Sequence, residues 1–305
     1  MSAPGASFVF TQYCPDSIGE QAVQIPFFRL LRSAHPDDEI VGIAPERSAG
    51  TLDALGLIDR LVVYPVNAGW GTLFGIAREL RRLPCRRAFL HRRKSLRTAL
   101  LARMSTSAPV TGFVHPGQRL LQARSIPFDL KAYIGESYTR LLGKTVADFA
   151  DATPRQAEGY VLIIPGGRTA IKRYPMPKYR TIAQTLGLDR PVQFLLGPDM
   201  TEERAFLEEA DDGFQVHFAP PIAEGAEIVR RAALVIANDC GPGHFAHVHD
   251  VPRISLFDAS IDPAHWFFPG RNGRLLQSKA TGELAGISAD EILGLAQELL
   301  HRNVA

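Results

Sequence analysis

Three segments of the sequence place charged side chains beside glycine, a combination suited to binding phosphate. The segment at 163–175 reads I-I-P-G-G-R-T-A-I-K-R-Y-P. Gly166 and Gly167 let backbone N–H groups approach a ligand closely, and Lys172 supplies a point charge for phosphate. The segment lacks the G-x-x-x-x-G-K-S/T pattern of a Walker loop, so an ordinary basic turn is the alternative. The polar side chains of this candidate anion site are Arg168, Thr169 and Lys172, with Arg173 as a weaker candidate.

A second segment, V-I-A-N-D-C-G-P-G-H-F-A-H at 235–247, follows an apolar run and opens a helical pattern. Asn238 and Asp239 can cap that helix. Gly241 and Gly243 leave backbone N–H groups free at the N-terminus of this helix, where the helix dipole favours an anion. The letters G-P-G-H-F-A also approach a nicotinamide-binding fingerprint, with Asp258 placed 17 residues after Gly241. A dehydrogenase is therefore an alternative, although the segment lies in the fourth strand–helix unit of its half and not in the first.

Three histidines, His244, His247 and His249, raise the question of a metal site. His244 and His247 can share a helix face, but no acidic residue stands at a recognised ligand spacing and H-E-x-x-H is absent. We therefore predict no metal site, and a role for these residues in helix packing or ligand contact. The three cysteines are far apart, which predicts neither a disulfide framework nor a paired metal site and fits a reducing cytoplasm.

The third segment, C-P-D-S-I-G-E at 14–20, places Asp16 and Glu20 where the first helical pattern begins. A carboxylate at a helix N-terminus tends to stay ionised, and an ionised carboxylate beside a substrate can act as a general base. The alternative is that Asp16 or Ser17 only caps the helix.

Length and composition indicate a globular protein of two domains. The chain has 305 residues, of which 46% are apolar and 22% charged. No apolar run reaches the roughly 18 residues of a membrane span. The start M-S-A-P-G-A-S-F-V-F lacks the basic and apolar regions of a signal peptide. We therefore expect a cytoplasmic protein.

Charge is distributed unevenly, with a net +7 over residues 1–150 and a net −5 over residues 151–305. Between Arg78 and Arg103 lie ten Lys or Arg side chains and one acid, Glu79. Such a stretch attracts an anionic lipid surface, an anionic glycolipid or nucleic acid, or is only a solvated face. Nucleic acid is not expected, because the sequence contains no recognised nucleic-acid-binding motif. The side chains of this stretch assigned to anion or acceptor binding are Arg86, Arg87, Arg92 and Arg93.

Short apolar runs alternate with amphipathic stretches in both halves, which predicts two doubly wound α/β domains with parallel sheets. We place the domain boundary at 150/151, in a polar linker at 148–159, and expect ligands at the carboxyl ends of the strands. The predicted strands are Phe8–Cys14, Glu39–Pro45, Arg60–Val66, Arg86–His91, Val110–His115, Tyr160–Pro165, Val192–Leu196, Gln215–Ala219, Leu234–Ala237 and Arg253–Phe257. The predicted helices are Glu20–Ala34, Thr51–Leu55, Gly71–Leu83, Ser95–Met104, Leu130–Val146, Pro177–Leu186, Glu202–Ala210, Ala223–Ala232, Gly243–His249 and Ala289–Arg302.

In this order and at these separations, the three segments resemble the heptosyltransferases of glycosyltransferase family 9. The S-x-G-D of that family corresponds to S-I-G-E here, and its D-T-G-x-x-H to D-C-G-P-G-H. The mid-chain pattern with P-G and a lysine before W-P corresponds to P-G-G-R-T-A-I-K-R-Y-P, and D-P-A-H-W-F-F-P-G at 262–270 resembles a later loop. The resemblance covers nearly the whole chain. It departs from the family pattern where Glu20 replaces aspartate and Cys240 replaces threonine.

The resemblance implies a GT-B fold, in which two facing Rossmann-like domains bind the acceptor (residues 1–150) and the nucleotide-sugar (residues 151–305). It implies metal-independent, inverting transfer of a sugar, typically heptose from ADP-heptose, to a glycan or lipopolysaccharide-core-type acceptor. No cofactor is implied besides the donor, which is a substrate. With the basic stretch, the expected partners are a nucleotide-sugar, an anionic glycan or glycolipid, and an anionic membrane contacted at its periphery.

The resemblance assigns Glu20 as the catalytic base and Lys172 as the cation that binds the donor phosphates. A dehydrogenase and a nucleotide-sugar-binding protein that has lost catalysis are the alternatives. Together, the segments and the resemblance give as donor-binding residues Gly166, Gly167, Arg168, Thr169, Lys172, Asp239, Cys240, Gly241 and His244.

Overall fold

The structure is a computed structural model, which describes residues 5–12, 14, 17–46, 48–149, 157–268, 270 and 272–302. The chain divides into two compact units, Met1–Ala150 and Asp151–Ala305, and each has its own sheet and its own apolar core. Asp16 and most of the linker predicted at 148–159 lie outside the described residues.

The first unit contains a six-stranded parallel sheet in the order β3-β2-β1-β4-β5-β6, with helices between successive strands. Its strands are β1 (Ala6–Phe10), β2 (Glu39–Pro45), β3 (Arg60–Tyr64), β4 (Cys85–Leu90), β5 (Val110–Phe113) and β6 (Arg124–Ile126). Its helices are α1 (Ile18–Ala22), α2 (Ile25–Ala34), α3 (Gly50–Ala54), α4 (Trp70–Leu80), α5 (Leu96–Ser105) and α6 (Ile134–Thr139).

The second unit contains another six-stranded parallel sheet, in the order β12-β11-β10-β7-β8-β9. Its strands are β7 (Val161–Ile164), β8 (Val192–Leu196), β9 (Gln215–Phe218), β10 (Leu234–Asn238), β11 (Arg253–Phe257) and β12 (Gly273–Gln277). Its helices are α7 (Met176–Gly187), α8 (Thr201–Glu209), α9 (Ile222–Arg231), α10 (Gly243–Val248), α11 (Pro263–Trp266) and α12 (Ala289–Arg302).

The central strands are buried on both faces, because helices cover both sides of a parallel sheet. β1 (A-S-F-V-F) and β7 (V-L-I-I) are accordingly buried throughout. Counted from its own first strand, each sheet has the order 3-2-1-4-5-6. In this arrangement ligands bind at the carboxyl ends of the strands, where the winding reverses. The two switch points are therefore the ends of β1 and β4 in one unit, and of β7 and β10 in the other.

The fold class predicted from the sequence is confirmed, and the differences from the prediction are local. Two short strands, β6 and β12, were not predicted. The single helix predicted at Glu20–Ala34 is two helices, since α1 ends at Ala22 and α2 restarts at Ile25 with Pro26 in its first turn, where the missing N–H costs nothing. The helix predicted at Leu130–Val146 was wrong beyond α6, because 3₁₀ turns and a left-handed Gly143 replace it.

Candidate active site

An ion pair joins the two loops at the switch point of the second sheet. Lys172 Nζ lies 2.5 Å from Asp239 Oδ2. Lys172 ends a 3₁₀ turn in the loop after β7, and Asp239 directly follows β10, the neighbouring strand. The Asp239 side chain is 7% exposed and that of Lys172 is 25% exposed. The structure therefore brings together two residues that the sequence placed in separate segments, and it holds the ammonium group at the surface of the unit.

Asn238, the last residue of β10, fixes the same two loops through all of its polar side-chain atoms. Its Nδ2 donates to the Pro165 carbonyl oxygen at 2.7 Å. Its Oδ1 accepts from the Tyr179 hydroxyl at 2.7 Å and from the Tyr174 backbone N–H at 3.4 Å. Because Asn238 is buried, this network defines where the loop after β7 leaves the sheet and where α7 begins. The sequence indicated a helix cap here, and the structure shows a bridge between segments instead.

The loop after β7 is folded back on itself by Gly167 and Arg173. A Cβ atom at Gly167 would lie 2.9 Å from the Lys172 carbonyl oxygen, so a larger residue forces this turn to open. Arg173 Nε donates to the Gly167 carbonyl oxygen at 2.8 Å, and its guanidinium also pairs with Asp199 and Glu203. Arg173 thus holds the loop through three contacts within the unit. The glycine at 166 has room beside it, and the remaining predicted side chains, Arg168 and Thr169, are solvent-exposed.

The turn after Asp239 offers fewer free amides than the sequence suggested. The backbone N–H of His244 donates to the Gly241 carbonyl at 3.1 Å. The sulfur of Cys240 accepts a hydrogen bond from the Gly243 backbone N–H, so cysteine takes a capping role at this turn. Burial raises the pKa of Cys240 to about 12, which keeps it a neutral thiol. α10 has only six residues, and the backbone N–H groups of its first two residues, Gly243 and His244, are already used within the turn.

His244 packs behind Asp239 in its neutral form. Its Nε2 lies 3.8 Å from Asp239 Oδ1, and burial lowers the pKa of His244. Its ring centroid lies 5.2 Å from that of His247 and 5.8 Å from that of Trp266. Burial also lowers the pKa of His247 well below its usual value, and His247 Nε2 lies 3.2 Å from the Ser255 hydroxyl. In the part of the chain that the structure describes, no three His, Cys, Asp or Glu side chains are arranged to hold a metal ion.

Asp258, which the dehydrogenase alternative would place on a ribose, is used within the fold. Its Oδ1 accepts from the backbone N–H of Ser260 at 2.9 Å and from the hydroxyl of the same residue at 2.6 Å. Its Oδ2 accepts from the Gly282 N–H at 2.7 Å. The hydrogen bond of the Ser260 hydroxyl is the main cause that lowers the pKa of Asp258. This carboxylate ties two loops together and gives no support to a nicotinamide site.

Glu20 lies at the switch point of the first sheet, on α1 directly after the loop that follows β1. Ser17 caps this helix, because its Oγ accepts from the Glu20 backbone N–H at 3.4 Å. Gln24 Nε2 donates to the Glu20 carbonyl oxygen at 2.9 Å, and Gln24 Oε1 lies 2.8 Å from Nδ1 of the buried His91. Burial, with the Glu20 charge as a second cause, raises the pKa of Cys14 to about 12. Glu20 is thus a partly buried residue whose backbone N–H and carbonyl are both held by side chains.

The four arginines assigned to anion or acceptor binding lie at the two ends of β4. Arg87 precedes the middle of the strand, and its guanidinium donates to the buried Asp38 at 2.8 Å. Arg92 and Arg93 follow the carboxyl end of β4, next to the Glu20 switch point. At a rise of about 3.3 Å per residue, Arg87 and Arg92 are roughly 16 Å apart. The structure therefore separates Arg86 and Arg87, which pair with Asp38 at 3.9 and 2.8 Å, from the other two.

Arg93 and Glu20 act on the same buried side chain. Burial raises the pKa of Tyr138, Cys14 raises it further, Arg93 lowers it and Glu20 raises it. The Arg93 guanidinium carbon lies 3.9 Å from the centre of the Phe128 ring. Glu20 and Arg93 thus each lie within electrostatic range of Tyr138, at the carboxyl edge of the first sheet.

Two six-stranded parallel sheets of this order, each flanked by helices, are the architecture of the GT-B class of glycosyltransferases. The family model for glycosyltransferase family 9 (heptosyltransferase) matches residues 118–272, and the chain belongs to this family. A search of curated protein sequences gave no match.

Solved structures from the same family share the fold along the whole chain. The chain is similar to a family 9 glycosyltransferase from Veillonella parvula, with 19% identity over 99% of both chains and a TM-score of 0.76. It is similar to E. coli ADP-heptose lipopolysaccharide heptosyltransferase II, with 16% identity over 98% of this chain and 100% of that one and a TM-score of 0.75. It is also similar to E. coli heptosyltransferase WaaC with ADP, with 16% identity, 96% and 99% coverage and a TM-score of 0.75. At these identities the likeness shows the fold.

Proposed function

We propose that this protein is an inverting glycosyltransferase that moves a sugar, heptose, from ADP-heptose to a lipopolysaccharide-core-type or other anionic glycan acceptor. The donor binds the second unit and the acceptor the first. The observation that carries the proposal is the Lys172–Asp239 pair at 2.5 Å, at the switch point where the GT-B fold binds a nucleotide. The similar structures contain ADP and ADP-2-deoxy-2-fluoro heptose in WaaC, which supports an adenine nucleotide donor here.

The proposed reaction is a single displacement at the anomeric carbon. Glu20 accepts the proton of the acceptor hydroxyl, whose oxygen forms the new bond to that carbon as the bond to the diphosphate breaks. The electron pair of the broken bond leaves on the diphosphate. Lys172 stabilises this negative charge, which is fixed electrostatic stabilisation of the kind that usually supplies the largest catalytic effect. The inversion of configuration follows from attack on the face opposite the leaving group.

Two hydrogen bonds hold the backbone of Glu20, which stands where the family pattern has aspartate. Ser17 caps the helix and Gln24 holds the Glu20 carbonyl, so the longer side chain starts from a fixed backbone position. A glutamate at this position has one more methylene with which to reach its substrate, and a general base must come within about 2.6–3.2 Å of the proton-bearing oxygen.

The test of this proposal is the release of ADP from ADP-heptose in the presence of acceptor, compared between wild type and Glu20→Gln. We expect Glu20→Gln to lower kcat by about 10²–10⁴-fold, the range for loss of a general base, while ADP binding stays unchanged. Glu136→Gln is the matched control, because that carboxylate accepts from the Val146 backbone N–H at 2.7 Å in α6. Equal activity of wild type and Glu20→Gln would remove Glu20 from the mechanism. Binding of ADP-heptose without any turnover by wild type would favour the alternative, a sugar-nucleotide-binding protein without catalysis.

The same assay tests metal independence. We expect turnover to persist in EDTA, because the proposed stabilisation of the diphosphate relies on Lys172. Loss of activity in EDTA that added Mg²⁺ restores would show that a divalent ion takes part.

A further inference from the structure

The outward face of α4 exposes two aromatic side chains to solvent. Trp70 is 52% exposed and Phe74 is 57% exposed. They are four residues apart, so they lie on one side of the helix, and their ring centroids are 6.3 Å apart. The opposite side of α4, with Leu73, Ala77 and Leu80, already fills the core of the unit. Trp70 and Phe74 are therefore not part of that core, and a contiguous apolar patch of this kind usually marks a site of interaction.

The first turn of α5 extends this patch. α5 packs against α4. Its first residue, Leu96, is 49% exposed, and Leu100 lies one turn further along the same side and is partly buried. The guanidinium carbon of Arg97 lies 6.0 Å from the centre of the Trp70 ring, which places the two first turns side by side. The apolar side chains of both helices thus form one continuous surface.

Positive charge surrounds these apolar side chains. Arg78 continues the Trp70–Phe74 side of α4, and Arg103 continues the Leu96–Leu100 side of α5. Lys94, which precedes α5, is exposed. Among the described residues, no Asp or Glu forms an ion pair with Lys94 or with a side chain of α4 or α5. Glu79, on α4 next to Arg78, is the one acidic residue between Arg78 and Arg103, so the surface keeps a net positive charge.

We infer that this surface docks on a lipid bilayer with anionic headgroups. The α4–α5 face, as we call it, consists of Trp70, Phe74, Arg78, Leu96, Arg97, Leu100 and Arg103. Its cations require an anionic partner, and its apolar side chains require one that offers hydrocarbon. A bilayer provides both, since Trp rings favour the headgroup region, aliphatic and Phe side chains enter the acyl boundary, and Lys and Arg bind anionic headgroups.

The α4–α5 face lies at the edge of the first unit that carries the proposed acceptor site. α4 follows β3 and α5 follows β4, so the first turns of both helices lie at the carboxyl edge of the sheet. Glu20 and Arg93 lie at the same edge. The inference rests on the proposed function in one respect: docking there brings the acceptor site to a lipid-linked glycan. Vesicle binding itself requires neither donor nor acceptor, so the two proposals can fail separately.

Co-sedimentation with vesicles tests the inference. Vesicles of phosphatidylcholine mixed with phosphatidylglycerol should bind the protein, and vesicles of phosphatidylcholine alone should bind it weakly. Added salt should weaken the binding, because exposed charges are screened over about 8 Å at physiological ionic strength. The variant Trp70→Ser/Phe74→Ser should lower the partition coefficient about tenfold or more, the loss expected for roughly 60 Å² less apolar surface removed from water. Arg78→Ser should lower it by about fivefold.

The matched control for the aromatic pair is Leu188→Ser, since Leu188 is 86% exposed but lies in the second unit. Its vesicle binding should equal that of wild type. A Trp70→Ser/Phe74→Ser protein that binds anionic vesicles as well as wild type would overturn the inference. The inference would also be overturned if wild type did not bind vesicles but self-associated, and the double variant abolished that self-association. The face would then join copies of the chain.

The fluorescence of Trp70 gives a direct readout of depth. The chain has two tryptophans, Trp70 and Trp266, so the variant Trp266→Phe leaves Trp70 as the single reporter. Anionic vesicles that contain brominated lipid should quench it, and its emission should shift to the blue. Sedimentation with vesicles but without quenching would show a purely electrostatic contact elsewhere on the protein and would contradict docking through the α4–α5 face.

Discussion

Replacing Lys172 by methionine removes the cation of the proposed donor site while keeping most of the length of the side chain. We expect the affinity for ADP to fall by about 1.5–3 kcal/mol, the usual contribution of a hydrogen bond to a charged group. This corresponds to a roughly 10- to 150-fold higher Kd. The substitution also leaves the carboxylate of Asp239, only 7% exposed, without the ammonium group that lies 2.5 Å away. An unpaired carboxylate facing the diphosphate repels it, so the observed loss should lie at the upper end of this range.

The double variant Lys172→Met/Asp239→Asn separates these two effects. If repulsion by the unpaired carboxylate contributes, the double variant binds ADP more tightly than Lys172→Met and less tightly than wild type. Isothermal titration calorimetry with ADP measures all three, and urea unfolding shows that each is folded. We expect Lys172→Met to lower the free energy of unfolding by about 1–3 kcal/mol, which is less than for a fully buried pair because Lys172 is 25% exposed.

Lys178→Met is the control for this series. Lys178 lies six positions further along, on α7, where its Nζ donates to the Ala285 carbonyl at 2.6 Å, so ADP affinity should not change. An unchanged Kd for ADP in a folded Lys172→Met protein would falsify the assignment of Lys172 to the donor phosphates. Equal losses in Lys172→Met and Lys178→Met would show that the effect is one of general charge and not of this site.

Two further predictions concern the stability of each unit. Burial lowers the pKa of His91 to about 3, so His91 is neutral in the folded state. In the unfolded chain its pKa is about 6.5, so protonation of the unfolded state lowers the stability as the pH falls from 6.5 toward 3. Above about pH 6.5 the full stability is present. Free energies of unfolding measured in urea between pH 7 and pH 4 should fall less steeply for His91→Gln than for wild type, and parallel curves would refute this. Asn238→Leu should lower the free energy of unfolding by about 2–4 kcal/mol and weaken ADP binding, because it leaves the Pro165 carbonyl and the Tyr179 hydroxyl without their partner. Unfolding that matches wild type within error would mean that water replaces the amide.

The fold could be predicted from the sequence wherever periodicity is strong. β2, β8 and β11 have the predicted bounds, as does α12, because each is a clear apolar run or a long amphipathic pattern with polar ends. β6 was missed because Arg124–Ile126 has only three residues and none is fully buried. The helix pattern at 20–34 has no signal for the break before Ile25 except Pro26, which a helix tolerates in its first turn.

The candidate site could be predicted in its residue types but not in its internal contacts. Glycines, Lys172 and Asp239 mark the two loops, whereas the role of Asn238 depends on Pro165 and Tyr179, at separations of 73 and 59 positions along the chain. Nothing local in the sequence encodes such pairings, because they arise only when parallel strands place distant loops side by side. The charge run at 78–103 has the same limit, since a count of arginines does not show at which end of β4 each one lies.

The two sheets of identical strand order each cover a separate apolar core, so we expect the heat of unfolding to divide between the two halves of the chain. A nucleotide that binds the second unit adds RT ln(1 + [L]/Kd) to the unfolding of that half, and nothing directly to the other. If ADP binds the second unit as proposed, we expect the calorimetric endotherm of residues 157–302 to move to higher temperature as ADP is added, while that of residues 17–149 keeps its midpoint. A single apparent melting temperature would average the unfolding of the unit that binds ADP with that of the unit that does not. The affinity for ADP calculated from its shift would then be too low.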